Sequence, residues 1–212
     1  MAKSKMTNMF NKDRANKWLS HTEGLDENLV HMSNEATIYH EQILRMTAAL
    51  QKHVKELGEG QKHPYAKTAR GVKGYREGIA TKSLGSKFDN AVEGLDKMAD
   101  ANNEFSKKLA SIIMTKCLSF KEVDCKDIDQ QMKQLAKVIK ELESNKKKAE
   151  KDNANAYLVE ASQESLKKCS EETSATLTKY NKAAIELVNF TSSEYKKMFE
   201  TYNEEGAKNM KI

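Results

Sequence analysis

The sequence predicts an all-α protein, and three observations carry that prediction. Its 212 residues include one proline and nine glycines, too few breakers for the frequent turns of a β-sandwich or an α/β sheet. Lys, Glu, Ala, Leu, Met and Gln dominate, with only 7% aromatic and 32% charged residues, a composition of strong helix formers. Apolar residues then recur in alternating steps of three and four over most of the chain, as along the seam of a coiled-coil helix.

The first long helix is expected over about residues 18–57, with a seam of Trp18, Thr22, Leu25, Leu29, Met32, Ala36, Tyr39, Ile43, Met46, Leu50, His53 and Leu57. Gly58, Gly60 and Pro64 end it, and Gly71, Gly74, Gly78 and Gly85 extend the interruption, so residues 58–84 read as a broken connection, loosely structured or at best a short broken helix. A second helix over about 85–151 follows Phe88, Val92, Leu95, Met98 or Ala99, Asn102, Phe105, Leu109 and Ile112 or Ile113. Its register slips around residues 118–127 before Leu135, Val138 or Ile139, and Leu142 restore it, which predicts a bend or stutter there rather than a stop. Such a helix would be on the order of 100 Å long.

Asp152, Asn153 and Asn155 close the second helix with short polar side chains that compete for backbone hydrogen bonds. A third helix over about 156–205 carries Leu166, Cys169, Thr173, Leu177, Tyr180, Ala184, Thr191, Tyr195, Met198 and Tyr202. A polar tail, 206–212, follows. Residues 1–17 form a basic, weakly amphipathic segment ahead of one helical domain spanning 18–208. Three unequal helices folded on themselves leave apolar seam uncovered, which predicts a homodimer.

The formal charge is +5, but the excess is regional. Residues 62–87 hold seven basic residues against Glu77 alone, and residues 1–17 hold five against Asp13. Cys117, Cys125 and Cys169 form no C-x-x-C pair, which suits reduced thiols in the cytosol. No apolar stretch approaches a membrane span, and no signal-peptide core follows Met1. The expected location is therefore cytoplasmic and peripheral at membranes.

Little in the chain suggests bond-making chemistry. The spacings of His21, His31, His40, His53 and His63 do not stack any two as a ligand pair. H-E-x-x-H, a phosphate-cradling glycine loop and G-x-S-x-G are all lacking. No enzyme activity, cofactor or metal is expected. Nucleic acid is not an expected partner, because arginine is scarce and aromatics are not interleaved with the lysines.

Two features point to binding. Met6, Met9 and Phe10 stand at i, i+3 and i+4 among Lys3, Lys5, Lys12 and Arg14, a pattern suited to folding into an anionic headgroup layer. Lys133, Lys137, Lys140 and then Lys147 or Lys148 recur at helical steps, beside the Leu135, Ile139 and Leu142 seam, and run into the cluster Lys146, Lys147, Lys148 and Lys151. Each such charge near an acidic bilayer is worth about 1 kcal/mol.

The order of helices, the glycine- and proline-broken connection, the mid-helix slip and the lysine-rich turn resemble the BAR (Bin/amphiphysin/Rvs) domain, closest to the N-BAR class of amphiphysins and endophilins. "KFDNAVEGLDKMADANNEF" looks like the start of that family's second helix, and "IDQQMKQLAKVIKELESNKKKAEKDN" is similar to its approach to the tip. The resemblance implies three long helices in an antiparallel coiled coil that dimerise into a crescent-shaped six-helix bundle. It further implies a lipid-binding tip at Lys146, Lys147, Lys148 and Lys151, and a lipid-binding concave face at Lys133, Lys137, Lys140, Lys167 and Lys168. Met6, Met9 and Phe10 take the place of the membrane-inserting N-terminal segment.

The implied function is a dimer that senses or generates curvature on anionic phospholipid membranes, phosphoinositides among them, in membrane trafficking and endocytosis. The alternative is a helical coiled-coil scaffold or adaptor that binds proteins, for example a small GTPase, without remodelling membranes. Two spectrin-like repeats would need a second break pattern and a second tryptophan, and the chain has one tryptophan.

Overall fold

The computed structural model describes residues 25–57, 64–77 and 82–209, and all the regular structure among them is helical. Helix α1, Glu27–Leu57, starts where Asp26 Oδ1 accepts the backbone N–H groups of Asn28 at 2.9 Å and Leu29 at 3.2 Å. Such a side-chain cap satisfies donors that the first turn leaves unpaired. Asp26 sets the start of the described helix at Glu27, even though the apolar period runs on through Leu25, and residues 18–24 of the expected first helix lie outside the described residues. Trp18 and the proposed inserting residues Met6, Met9 and Phe10 lie outside the described residues.

Along α1 the buried positions are Leu29, Ser33, Ala36, Ile43, Thr47 and Leu50. Ser33 and Thr47 take the seam places that the apolar pattern assigns to Met32 and Met46, which lie half-buried one residue away. Small hydroxyl residues sit at the centre of the stripe, and the long thioethers cover its edge.

Within the stretch read as a broken connection stands a helix, α2, Pro64–Glu77. Pro64 is tolerated at its first position because that N–H would be unpaired in any case. Ala69 is its buried side chain. The helix is fastened to α3, Lys82–Lys108, by a bidentate pair between Arg76 and Asp89, with Nε to Oδ1 at 2.6 Å and Nη2 to Oδ2 at 2.8 Å. Lys73 Nζ lies 3.4 Å from Asp96, and the Tyr75 and Phe88 rings are 6.5 Å apart. Exposed pairs of this kind contribute up to about 1 kcal/mol each.

From α3 the chain passes through a π-helical segment, Leu109–Met114, into α4, Thr115–Glu122, and α5, Asp124–Lys151. Leu109, Ile113 and Cys117 are fully buried at successive steps of four. In an ordinary helix those steps drift around the axis, and the wider π turn takes up the drift. A second irregularity is Val123, with φ −108° and ψ −75°. Its N–H still bonds Ser119 O and its carbonyl still accepts from Asp127, both at 2.9 Å, so helical bonding continues through it. Val123 falls inside the expected slip at 118–127, while the π segment lies upstream of it.

Asp152 turns the chain at the end of α5. Its backbone is extended, its N–H bonds Lys148 O at 3.0 Å, and its Oδ1 accepts from the Ala154 N–H at 3.0 Å. A 3-10 turn, Asn153–Asn155, leads into α6, Ala156–Asn209. Helix α6 continues past the expected end at 205, since Gly206 packs against Met98.

The chain divides into two compact units. In the first, residues up to 45 with 119–187, Tyr180 is the aromatic node. Its ring is 5.4 Å from that of Phe120 and 6.4 Å from that of His40, and its hydroxyl is 3.6 Å from Cys125 Sγ. Asn181 Nδ2 donates to Met32 O at 3.2 Å, and Gln131 Nε2 to Thr173 Oγ1 at 3.0 Å. In the second unit, residues 46–118 with 188 onward, Phe105 packs against Tyr202 at 5.3 Å, Tyr195 at 6.0 Å and His53 at 6.4 Å. There Asn102 donates to Leu57 O and Ser106 to Val54 O, pairing carbonyls that the last turn of α1 leaves open.

Two predictions follow from this packing. A Cβ at Gly71 or Gly74 meets nothing within 4 Å, whereas one at Gly94 would lie 2.9 Å from the Asn209 carbonyl oxygen. Gly71→Ala and Gly74→Ala should each stabilise α2 by about 1 kcal/mol, read as slower local amide exchange. Gly94→Ala should instead lower the urea midpoint.

Burial raises the thiols of Cys117, Cys125 and Cys169 above their ordinary 9.0 and pushes the Tyr180 hydroxyl far above 10.0. Unfolding lets all four ionise at ordinary values, so the stability they confer is complete below those values and is lost as pH rises through and beyond them. The urea midpoint should hold steady, as far as these groups govern it, from about pH 7 to 8.5 and fall above about pH 9. A midpoint that stays constant above about pH 9 would contradict the burial of these groups.

Candidate functional site

Helix α5 sorts its residues by side. Cys125, Ile128, Met132, Leu135, Val138, Ile139, Leu142 and Asn145 are buried, while Lys133, Lys137 and Lys140 are exposed. Each of these lysines precedes a buried residue by two positions: Leu135, Ile139 and Leu142. Two positions are about 200° around a helix. The lysine stripe therefore stands opposite the seam, a correction to its expected place beside it. The two patterns share a period but stand half a turn out of phase, which the period alone does not reveal.

Lys147 and Lys151 continue the outward face toward the hairpin, Lys148 flanks it, and Lys146 turns toward the other side. All four are exposed. Residues 133–151 contain seven lysines against Glu141, Glu143 and Glu150. Among the described residues none of the seven lysines forms a salt bridge. Lys148 Nζ donates to Asn145 Oδ1 at 3.4 Å. The result is a cationic face fixed to a helix whose opposite side is locked in a core.

What holds the end of that face is a buried polar pair. Asn145 Nδ2 donates to Ser162 Oγ at 2.7 Å, joining α5 to α6 just before the turn. Asn145 is 8% exposed and Ser162 6%, so the bond lies where water competes weakly. Sequence inspection passed over both residues. The available signal was their spacing, since Asn145 is one step of three beyond Leu142 and Ser162 one step of four before Leu166.

Lys167 and Lys168 lie exposed on α6, between buried Leu166 and Cys169. Their surroundings differ from those of the α5 lysines. Residues 156–187 carry four lysines and five glutamates, with Glu164, Glu171 and Glu172 close in sequence to this pair. The structure thus groups Lys133, Lys137, Lys140, Lys147, Lys148 and Lys151 on one side of α5, and leaves Lys167 and Lys168 on a helix of mixed charge.

No helix among the described residues is long and apolar enough to cross a membrane, and none of their His, Cys, Asp or Glu side chains form a group of three that would hold a metal ion. Compared with models of protein families and with curated proteins, the chain matches none.

The Asn145–Ser162 bond makes a measurable claim. Asn145→Ala and Ser162→Ala should each destabilise the hairpin by about 1–3 kcal/mol, because each strands a buried polar partner. The double variant should cost less than the sum. Additive costs in a urea-denaturation cycle would show that the two side chains do not interact.

Proposed function

We propose that this chain acts as a homodimeric, BAR-like membrane-binding protein, which senses or generates curvature through contact of the α5 lysines with anionic lipids. The observation that carries the reading is the outward stripe Lys133, Lys137, Lys140, Lys147 and Lys151, unpaired among the described residues and opposite the buried face of α5. A lysine on a flexible tail loses entropy when it meets a surface, whereas a row set on a packed helix is ordered in advance. At about 1 kcal/mol for each charge near an acidic bilayer, one stripe supports modest affinity. A second copy in a dimer multiplies it by making the next contact intramolecular.

Dimerisation draws support from large apolar side chains exposed in the single chain. Ile38, Val123 and Ile185 are such residues in the first unit, and Ile112 and Phe199 in the second. The same residues support the alternative of a coiled-coil scaffold, whose partner would be another protein. Lys167, Lys168 and the N-terminal Met6, Met9 and Phe10 are secondary contributors in the membrane reading, which places the protein peripherally at cytoplasmic membrane surfaces.

Co-sedimentation with vesicles tests the proposal. Wild-type protein should pellet with phosphatidylcholine vesicles containing roughly a third phosphatidylserine, not with pure phosphatidylcholine, and should be released by about 0.5 M salt. Lys146→Glu, Lys147→Glu and Lys148→Glu together should weaken binding by at least about tenfold while sedimentation equilibrium still reports a dimer. Unchanged binding in that variant would reduce the cluster to a solvated turn.

A further inference from the structure

Two exposed ion pairs fasten the C-terminal half of α2, while Tyr65, Ala66 and Val72 are half-buried. Of its 14 residues Ala69 alone is buried. Near its start, Tyr65 bonds the Tyr202 hydroxyl. Its C-terminal half is held by Arg76 on Asp89 and Lys73 on Asp96. The four side chains of these pairs are 47% to 59% exposed, so the clamp is open to water and to competing ions. The Tyr75 ring beside them is 73% exposed.

The surface that receives α2 is a carboxylate row. Asp89, Glu93, Asp96 and Asp100 recur on α3 at steps of four, three and four, and so share one face. On α2 itself Lys67 and Arg70 are already exposed, and Gly71 and Gly74 face open space. Both glycines weaken the helix without any packing that requires them.

We infer that α2 is a displaceable strap, whose C-terminal half exchanges the carboxylates of Asp89 and Asp96 for the phosphates of an acidic bilayer. The inference rests on the membrane reading above and adds a second class of contact to it. A guanidinium accepts phosphate in the same forked geometry in which Arg76 now holds Asp89. Exchange frees Lys73 and Arg76 for the bilayer, and it leaves Asp89 and Asp96 to water. Because those carboxylates are repelled by the same bilayer, exchange requires a high density of acidic lipid. Binding should therefore rise steeply, rather than in proportion, with the acidic fraction.

Two full-length variants test the strap on vesicles of phosphatidylcholine and phosphatidylserine in a two-to-one ratio. Asp89→Asn with Asp96→Asn removes the clamp, and Glu93→Gln with Asp100→Asn changes the net charge equally without touching it. The clamp variant should bind about tenfold tighter than wild type, and the charge-matched variant no more than about twofold tighter. A converse variant guards against loss of the α2 fold. Tyr75→Cys with Phe88→Cys pins α2 to α3 when oxidised, and the native thiols are buried. Oxidised protein should bind several-fold more weakly than the same protein reduced.

Equal gains in the two charge variants, or equal binding by the oxidised and reduced forms, would overturn the strap while leaving the membrane reading standing. Failure of wild-type protein to bind these vesicles would overturn both.

Discussion

The burial of one side of α5 is the constraint on which the candidate site depends. Cys125, Ile128, Met132, Leu135, Ile139 and Leu142 are committed to the core of the first unit, which leaves no rotational freedom to the helix that carries them. Residues two positions away are then forced outward, and here those residues are lysines. Aligning a row of like charges costs repulsion, which a free helix relieves by turning or fraying. On α5 packing opposes that relief. The hairpin adds a second restraint, since Asn145 bonds across to Ser162 while Asp152 caps both the outgoing and the returning chain.

Polar residues inside the seams serve register more than stability. Ser33, Thr47, Asn102, Ser106, Asn145, Thr173 and Asn181 are all buried, and an apolar side chain at each would bury more surface. Their bonds are specific instead: Asn102 and Ser106 reach the last carbonyls of α1, Asn181 reaches Met32, and Thr173 receives Gln131. A helix slipped by one heptad step keeps most of its apolar contacts and loses these bonds, leaving buried groups unpaired. In each compact unit such bonds flank an aromatic node, Tyr180 in one and Phe105 in the other.

Helices of this kind are legible in sequence because their apolar period persists for many turns, and the all-helical class could be read that way. The same method failed where a local interaction overrode the period. Asp26 starts α1 inside an unbroken apolar pattern, and Ser33 displaces Met32 from the seam because small size, which periodicity ignores, decides the centre of a packed stripe. Helix α2 was legible at best as a short broken helix because of its glycines, and it is held by ion pairs to residues 13 and 23 positions away, a distance at which no local pattern operates. At the candidate site the lysine spacing was visible, but its phase against the core was misjudged by half a turn. Asn145 and Ser162 went unread because neither is apolar.

Charge placement ties these observations to function. The chain carries an excess of only five positive charges, yet packing gathers cations on the outward face of α5 and pairs others against α3. An environment-sensitive probe placed in turn at Lys137→Cys on α5 and at Lys182→Cys on α6 tests the central claim most directly, read before and after acidic vesicles are added. The account predicts a shift to a less polar environment for the probe at 137 and little change at 182. A larger response at 182, or none at either position with the protein bound, would contradict it.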